Sequence, residues 1–143
     1  MNIFEIYLEK IKKTINKKKD FLGITNLNNL KNVTVETPPS HFDFDLTCNI
    51  ALILSKSNNL NPGELSLKIK NVMEKELKEI SKIEIAGPGF INFSLNKKTT
   101  FEIIQKIISN GDTFGSYKNK DKFNVEFVSA NPTGPMHIGH CRG

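Results

Sequence analysis

The sequence has no long apolar run, no internal repeat and no low-complexity tract. Its apolar stretches stay well below the ~20 residues that a membrane-spanning helix needs. At the N-terminus, apolar residues alternate with charged ones, unlike the continuous apolar core of a signal peptide. These absences argue against a membrane partner and predict a protein of the cytoplasm.

Cysteine is scarce as well. The two cysteines, Cys48 and Cys141, lie far apart and outside any paired motif. This spacing excludes a disulfide framework and a cysteine-based zinc signature, so we expect two free thiols. Cys141 follows a pair of histidines, but the sequence positions no base that would activate it as a nucleophile.

Arginine is almost absent. Of the 20 basic residues, nineteen are lysine and only Arg142 is arginine. The net charge of +5 suggests nucleic-acid binding. Specific contacts to phosphates and bases usually favour arginine, however, so the charge alone supports RNA binding only weakly. We interpret the lysines between residues 10 and 19 as a solvated helix face, with an RNA-contacting face as the alternative.

The remaining composition is that of a globular protein, and the helices and strands predicted below place it in the α/β class. The chain has 143 residues, of which 38% are hydrophobic and 24% charged. We expect a small α+β domain over residues 1–115, a polar linker over 116–122, and the first strand and turn of a larger domain over 123–143. The first domain is expected to fold independently and the tail to be loosely held.

Hydrophobic periodicity and capping residues predict the elements of the first domain. Four helices are expected. The first covers residues 2–18 and has an apolar side of Phe4, Leu8, Ile11 and Ile15. The second is capped by Asp45 and carries Leu46, Ile50, Ala51 and Leu54, and the third is capped by Asn61. The fourth is capped by Asn96, ends at Gly111 and has the apolar residues Phe101, Ile104, Ile107 and Ile108. Strands are expected at 33–36, 82–86 and 91–95, the last two being an antiparallel pair around a turn at Gly87–Gly89. Phe42 and Phe44 lie in a loop after the first of these strands.

The last residues carry most of the chemistry. The alternating run Phe123–Val128 predicts a strand, which is followed by a turn rich in proline and glycine and then by His137-Ile138-Gly139-His140 at the start of a helix. Two imidazoles three residues apart share one helix face, beside the backbone N–H groups that bind anions. Gly139 lets a flat ring approach the backbone. Such donors stabilise charge that builds on phosphate oxygens.

Two other interpretations of the histidine pair are open at this point. One is a metal site, but no cysteine or carboxylate stands at ligand spacing nearby, so we expect no protein-bound metal. The other is an ordinary helix with two surface histidines.

The segment Val125–Gly143 resembles the signature of class I aminoacyl-tRNA synthetases, and more specifically that of arginyl-tRNA synthetases. The resemblance includes the lead-in Ser129-Ala130-Asn131-Pro132-Thr133-Gly134-Pro135-Met136 as well as the histidine motif. Upstream, Phe42–Ala51 and Ile85–Phe93 resemble the N-terminal additional domain of that family. The family commonly has Gly-Asp-(Phe/Tyr) where this chain has His41–Asp45, which leaves the local loop open. The resemblance covers essentially the whole chain.

The resemblance implies a Rossmann-like catalytic domain that activates arginine with ATP, accompanied by magnesium, and transfers it to arginine tRNA. It implies that His137 and His140 contact the ATP phosphates and that Gly139 lies beneath the adenine. It further implies that Ser129, Asn131 and Glu126 hold arginine. Ala130, Pro132, Thr133, Gly134, Pro135, Met136 and Ile138 would form the turn. The N-terminal domain would contact the tRNA D-loop, and Phe42 and Phe44 would either stack on a base there or pack in the core of the domain. A monomer is expected.

Two alternatives compete with this assignment. Other nucleotidylyltransferases, such as cofactor adenylyltransferases and pantothenate synthetase, use His-x-Gly-His, but they place it close to the N-terminus. A truncated or degenerate paralogue would be a tRNA-binding module without catalysis. The 143 residues alone are expected to be inactive, because a doubly wound fold needs several parallel strands.

Overall fold

Five helices and a four-stranded antiparallel sheet form the part of the chain that the computed structural model describes, residues 2–116, 122–126, 128 and 134–141. The helices are α1 (Ile3–Lys17), α2 (Lys19–Leu22), α3 (Ile50–Asn58), α4 (Pro62–Glu76) and α5 (Lys97–Asn110). The strands are β1 (Val35–Glu36), β2 (Leu46–Cys48), β3 (Ile80–Ala86) and β4 (Phe90–Leu95). The expected mixture of helices and strands is confirmed. No helix among the described residues is long and apolar enough to cross a membrane.

The sheet has the order β1-β2-β4-β3, and every neighbouring pair is antiparallel. The predicted β3–β4 pair is therefore confirmed. Its connection contains Gly87 at φ 53° and Gly89 at φ 142°, backbone angles that L side chains rarely adopt. A Cβ on Gly89 would also lie 3.3 Å from the carbonyl oxygen of Pro62, so this turn packs closely on the start of α4. Gly87–Gly89 is thus a structural turn, as expected.

The first predicted helix is confirmed, but the residues that it turns toward the core differ from the predicted apolar side. Asn2 caps it by accepting the N–H of Phe4 at 3.0 Å. Ile11 and Ile15 are buried as the pattern predicts, but Tyr7 takes the third core position while Phe4 stays 36% exposed. The Tyr7 ring packs 5.8 Å from the ring of Phe93 on β4, and Lys10 lies over its other side. An aromatic ring with a polar end suits this border between core and solvent.

The prediction for the segment around Asp45 was wrong in one respect. Leu46–Cys48 is the strand β2, so α3 begins only at Ile50 and Asp45 does not cap it. Instead, the Asp45 carboxylate accepts the N–H of Leu95 at 2.7 Å and fastens the end of β4. Leu46 satisfies both a helical and an alternating pattern, and pairing with β4 decides between them.

The third predicted helix, α4, is confirmed together with its cap. The Asn61 side chain accepts from Gly63 N–H at 2.9 Å and Glu64 N–H at 3.1 Å, and Pro62 occupies the first helical position. The apolar residues that recur here at helical spacing are all buried: Leu65, Ile69, Val72, Met73 and Leu77. This helix covers the inner face of the sheet together with α1 and α3.

Asn58 joins the end of α3 to the segment after α2. Its side-chain oxygen accepts from the backbone N–H groups of Thr25 at 2.9 Å and Asn26 at 2.7 Å. Its amide donates to the carbonyl oxygens of Asn26 and Leu54, both at 2.9 Å. One side chain therefore ties together two segments that are more than thirty residues apart in sequence.

The tail does not form the predicted strand within its described part. Residues 122–126 and 128 have no regular secondary structure, and Phe123 and Val125 are 72% and 65% exposed. A strand is stabilised by hydrogen bonds to a neighbouring strand, and the four described strands pair only among themselves. Among the described residues, a Rossmann-like sheet is thus not observed. Most of the predicted linker, residues 117–121, lies outside the described residues.

Candidate functional site

The histidine segment is described over residues 134–141. A short 3-10 turn, Ile138–Cys141, stands where the start of an α-helix was predicted. His137 is exposed and immediately precedes this turn, and Met136 and Ile138 are 70% and 90% exposed. A single 3-10 turn presents far fewer aligned N–H groups than an α-helix, so a helix-dipole argument for anion binding does not apply to this segment as it stands.

The flat ring that approaches Gly139 is the imidazole of His137. The Nδ1 atom of His137 accepts the N–H of Gly139 at 3.2 Å. A Cβ added to Gly139 would lie 2.9 Å from Cε1 and 3.1 Å from Nδ1 of that ring, so the glycine makes room for it. With Nδ1 acting as an acceptor, the neutral imidazole carries its proton on Nε2. His137 therefore has an N–H on the side of the ring opposite Gly139.

The other predicted substrate-site residues are not brought together in the described part of the chain. Ser129, Ala130, Asn131, Pro132 and Thr133 lie outside the described residues, as does the side chain of His140. Glu126, Gly134 and Pro135 are exposed. The predicted arginine and ATP contacts therefore stay predictions.

The described thiol is not an activated nucleophile, and the described acidic and histidine side chains do not form a metal site. Cys48 is free and buried at the sheet, where burial raises the pKa of its thiol to about 12. A protonated thiol in this position is a packing residue and a poor nucleophile. Among the described residues, no three His, Cys, Asp or Glu side chains come close enough to hold a metal ion. The side chain of Cys141 lies outside the described residues.

A groove lies on the face of the sheet that points away from the helices. The pairing register aligns Glu36, Thr47, Asn92 and Glu84 in one row across the four strands. The adjacent row consists of Val35, Cys48, Ile91 and Ile85 and faces the core, because successive side chains of a strand point to opposite faces. The groove has a volume of about 600 Å³, and Pro38, Pro39, Phe42, Pro88, Phe90 and Asn92 contribute to its lining.

Aromatic and amide groups meet in this groove. Phe90 is 41% exposed, whereas Asn92 is only 2% exposed although it lines the groove. The Phe42 ring is half-buried and packs 4.2 Å from the ring of His41. This arrangement offers apolar ring surface beside one amide that can both donate and accept hydrogen bonds.

Phe42 and Phe44 were predicted to lie in a loop, whereas no sequence-based prediction singled out Phe90 and Asn92 as site residues. Neither Phe42 nor Phe44 belongs to the buried core. Phe44 is half-buried and has the Lys82 ammonium 4.5 Å from its ring centre. The missed signal is the alternation of Phe90, Ile91, Asn92 and Phe93, which places an aromatic residue and an amide on the face opposite the core.

Most lysines between residues 10 and 18 form ion pairs with acidic side chains. Lys10 forms an ion pair with Glu79, and Lys17 and Lys18 contact the Glu76 carboxylate at 3.7 and 2.9 Å. The hydrogen bond and charge of Lys18, with a further contribution from Lys17, lower the pKa of Glu76. These contacts favour the interpretation of this face as a solvated surface over that of an RNA-contacting one.

The described domain matches a known family. The family model described as "Arginyl tRNA synthetase N terminal domain" matches residues 5–95, which span α1 to β4 and contain the groove. The chain belongs to this arginyl-tRNA synthetase family. Its resemblance to that family in sequence is thereby confirmed.

Individual relatives extend the similarity beyond the N-terminal domain model. The chain is 39% identical to the arginine–tRNA ligase of Pelagibacter ubique over 145 aligned positions. It is 40% identical to the arginine–tRNA ligase of Bartonella bacilliformis over 146 positions. Each of these alignments covers 100% of this chain and 25% of the relative. It is 48% identical to the arginine–tRNA ligase of Rickettsia bellii over 113 positions, which cover 77% of the chain and 19% of the relative. The chain thus spans about a quarter of the length of the first two relatives. Their alignments include α5 and the histidine segment of this arginyl-tRNA synthetase family member.

Proposed function

We propose that these 143 residues are the N-terminal part of an arginine–tRNA ligase. Arginine, ATP with its magnesium ion, and arginine tRNA are the substrates. The arginine carboxylate attacks the α-phosphorus of ATP and pyrophosphate leaves, and a hydroxyl of the terminal adenosine of the tRNA then attacks the activated carbonyl and releases AMP. The observation that carries the proposal is the alignment of the entire chain with arginine–tRNA ligases at 39–40% identity.

In this proposal the histidine segment acts on the phosphates of ATP. The Nε2–H of His137 donates to a phosphate oxygen, where it stabilises the charge that develops as pyrophosphate departs. The support is the bond from the Gly139 N–H to Nδ1, which leaves the proton on Nε2. His140 provides a second donor, and Gly139 lies beneath the adenine. Ser129, Asn131 and Glu126 hold the arginine.

We further propose that the groove on the outer face of the sheet takes an unstacked base of the tRNA D-loop. A base needs ring surface for stacking and a polar group for its edge, and Phe90 and Asn92 supply both at neighbouring positions of β4. Glu36 and Glu84 belong to the same row of the sheet. Their carboxylates disfavour a phosphate, so an uncharged base suits this groove better than the RNA backbone does.

The decisive experiment is arginine-dependent exchange of pyrophosphate into ATP by the full-length protein, measured with and without arginine tRNA. We expect exchange with arginine and none above background with lysine or glutamine. A preference for another amino acid would refute the assignment. Tight tRNA binding without any exchange under either condition would favour the non-catalytic tRNA-binding module instead.

We also expect the full-length ligase to be a monomer, and the sequence pattern predicts that it is located in the cytoplasm. Sedimentation at micromolar protein concentration measures the first property. A dimer there would contradict the expectation.

A further inference from the structure

An apolar stripe runs along the outer side of α5. Phe101, Ile104 and Ile108 follow the spacing i, i+3, i+7 and therefore share one side of the helix. They are 61%, 45% and 67% exposed, and Ile107 at the edge of the stripe is 40% exposed. Within the described part of the chain, no residue of α5 is buried.

The opposite edge of α5 makes the contact with the rest of the domain. Thr99, Glu102, Ile103 and Lys106 line a narrow groove together with Ile3 and Tyr7 on α1. Of the apolar residues of α5, only Ile103 is half-buried by this contact among the described residues. The stripe thus points away from the sheet and from α1.

Comparison with α4 shows how unusual this exposure is. Both helices begin with an asparagine cap and have 15 and 14 residues, but α4 buries five of its residues. A helix of this length is only marginally stable without tertiary packing, and large exposed apolar patches mark interaction surfaces. The exposure of the stripe on α5 is therefore typical of a surface that another part of a protein covers.

We propose that the α5 stripe docks against the part of the ligase that follows residue 143. This inference rests on the proposed function, since the occupant is the remaining polypeptide of the ligase. Relatives that match the whole chain are four times as long, because the alignment covers 25% of each. α5 is also the last helix before residues 116–143, which lead toward that polypeptide.

The size of the stripe favours a tethered partner over a separate protein or a second copy. Four exposed apolar side chains are far fewer than the roughly 20–30 residues a side of a standard stable interface. The 33 residues from Gly111 to Gly143 reach at most about 120 Å, so they tether the polypeptide that follows to α5. Contact within one chain needs no encounter between separate molecules, so a smaller patch suffices than for a separate partner.

The test compares two single-cysteine sites in the full-length ligase. Ile104→Cys lies in the stripe, and Ser109→Cys is the matched control, because five residues place it about 140° around the helix. Labelling with a maleimide is followed by peptide mass mapping, so Cys48 and Cys141 do not interfere. We expect the control site to react at least tenfold faster than the stripe site in the folded protein, and both to react equally in urea.

Equal rates in the folded protein would overturn the proposal, because the stripe would then be open to solvent. Protection of Ile104→Cys that disappears on dilution would also overturn it, since a second copy would be the occupant. A photo-crosslinking residue at Phe101 supplies an independent readout. Crosslinks to peptides beyond residue 143 of the same chain support the proposal, and crosslinks to residues 2–116 of another copy contradict it.

These measurements separate the docking proposal from the proposed function. Aminoacylation is assayed on the unmodified ligase, whereas protection of α5 is read without any substrate. An active ligase with an unprotected stripe would refute only the docking. A protein with a protected stripe that activates an amino acid other than arginine would refute only the assignment as an arginine–tRNA ligase.

Discussion

Replacing Phe90 by alanine should weaken tRNA binding by the full-length ligase. The Phe90 ring is 41% exposed at the groove, so part of its surface is available to a base. Stacking of a base on an aromatic side chain contributes about 1–3 kcal/mol, and the partial exposure places this ring toward the lower end, at ~1–2 kcal/mol. With 1.4 kcal/mol for each factor of ten, Kd for the tRNA should rise about 5- to 30-fold.

The assay is filter binding of arginine tRNA at one fixed salt concentration, because phosphate contacts make Kd strongly salt-dependent. Phe21→Ala is the matched control, since it makes the same chemical change at a 70% exposed phenylalanine of α2, outside the groove. Asn92→Ala removes the amide that we propose hydrogen-bonds the base edge, and we expect a smaller loss, of about 1 kcal/mol. Thermal unfolding of each variant shows whether it is folded.

One result would refute the reasoning about the groove. If Phe90→Ala unfolds at the wild-type temperature and binds arginine tRNA with the wild-type Kd, no base stacks on that ring. Equal weakening by Phe90→Ala and Phe21→Ala would be as damaging, because it would indicate a change that is not specific to the groove.

Three further predictions concern stability and the histidine segment. Asn58→Ala should lower the free energy of unfolding by about 2–3 kcal/mol, because it removes several hydrogen bonds, most of which join α3 to residues 25–26. Asn71→Ala, the same chemical change at an exposed position of α4 outside that network, is the comparison in urea unfolding. His137→Ala should reduce pyrophosphate exchange about 100-fold, the usual effect of removing one donor to a developing oxyanion. Gly139→Ala should reduce the exchange less, because the added methyl group displaces the imidazole of His137. Exchange at the wild-type rate in both variants would contradict the role assigned to His137. The raised pKa of Cys48 means that its contribution to stability is complete below its ordinary value of 9.0 and is lost as the pH rises toward about 12. The pH dependence of unfolding between 9 and 11 should therefore be shallower in Cys48→Ala than in the wild type, and identical slopes would contradict this account.

Local signals predicted several elements of this domain well. Asn61-Pro62 and Asn96 mark the starts of α4 and α5, because a side-chain cap and a proline act within one helical turn. The alternation in β3 and β4 and the glycines between them predicted an antiparallel pair for the same reason. These features depend on residues that are neighbours in sequence.

Predictions that depended on distant residues were less successful. Leu46 was assigned to a helix because its spacing to Ile50 and Leu54 is helical, but pairing with Phe93 makes it part of a strand. Phe4 was expected in the core, but the position of Phe93 favours Tyr7 instead. In each case, a partner more than forty residues away decides between two local patterns of similar strength.

The sequence by itself determined the family, the domain that precedes the histidine segment and the helix caps, because motifs and caps are written in consecutive residues. Only the tertiary structure decided where the groove on the outer face of the sheet lies. Phe42 comes from a loop and Phe90 and Asn92 from β4, and the antiparallel pairing of β2 with β4 brings them to one groove. The exposure of the α5 stripe also became visible only in the tertiary structure. Burial depends on what packs against a helix and not on the helix's own pattern.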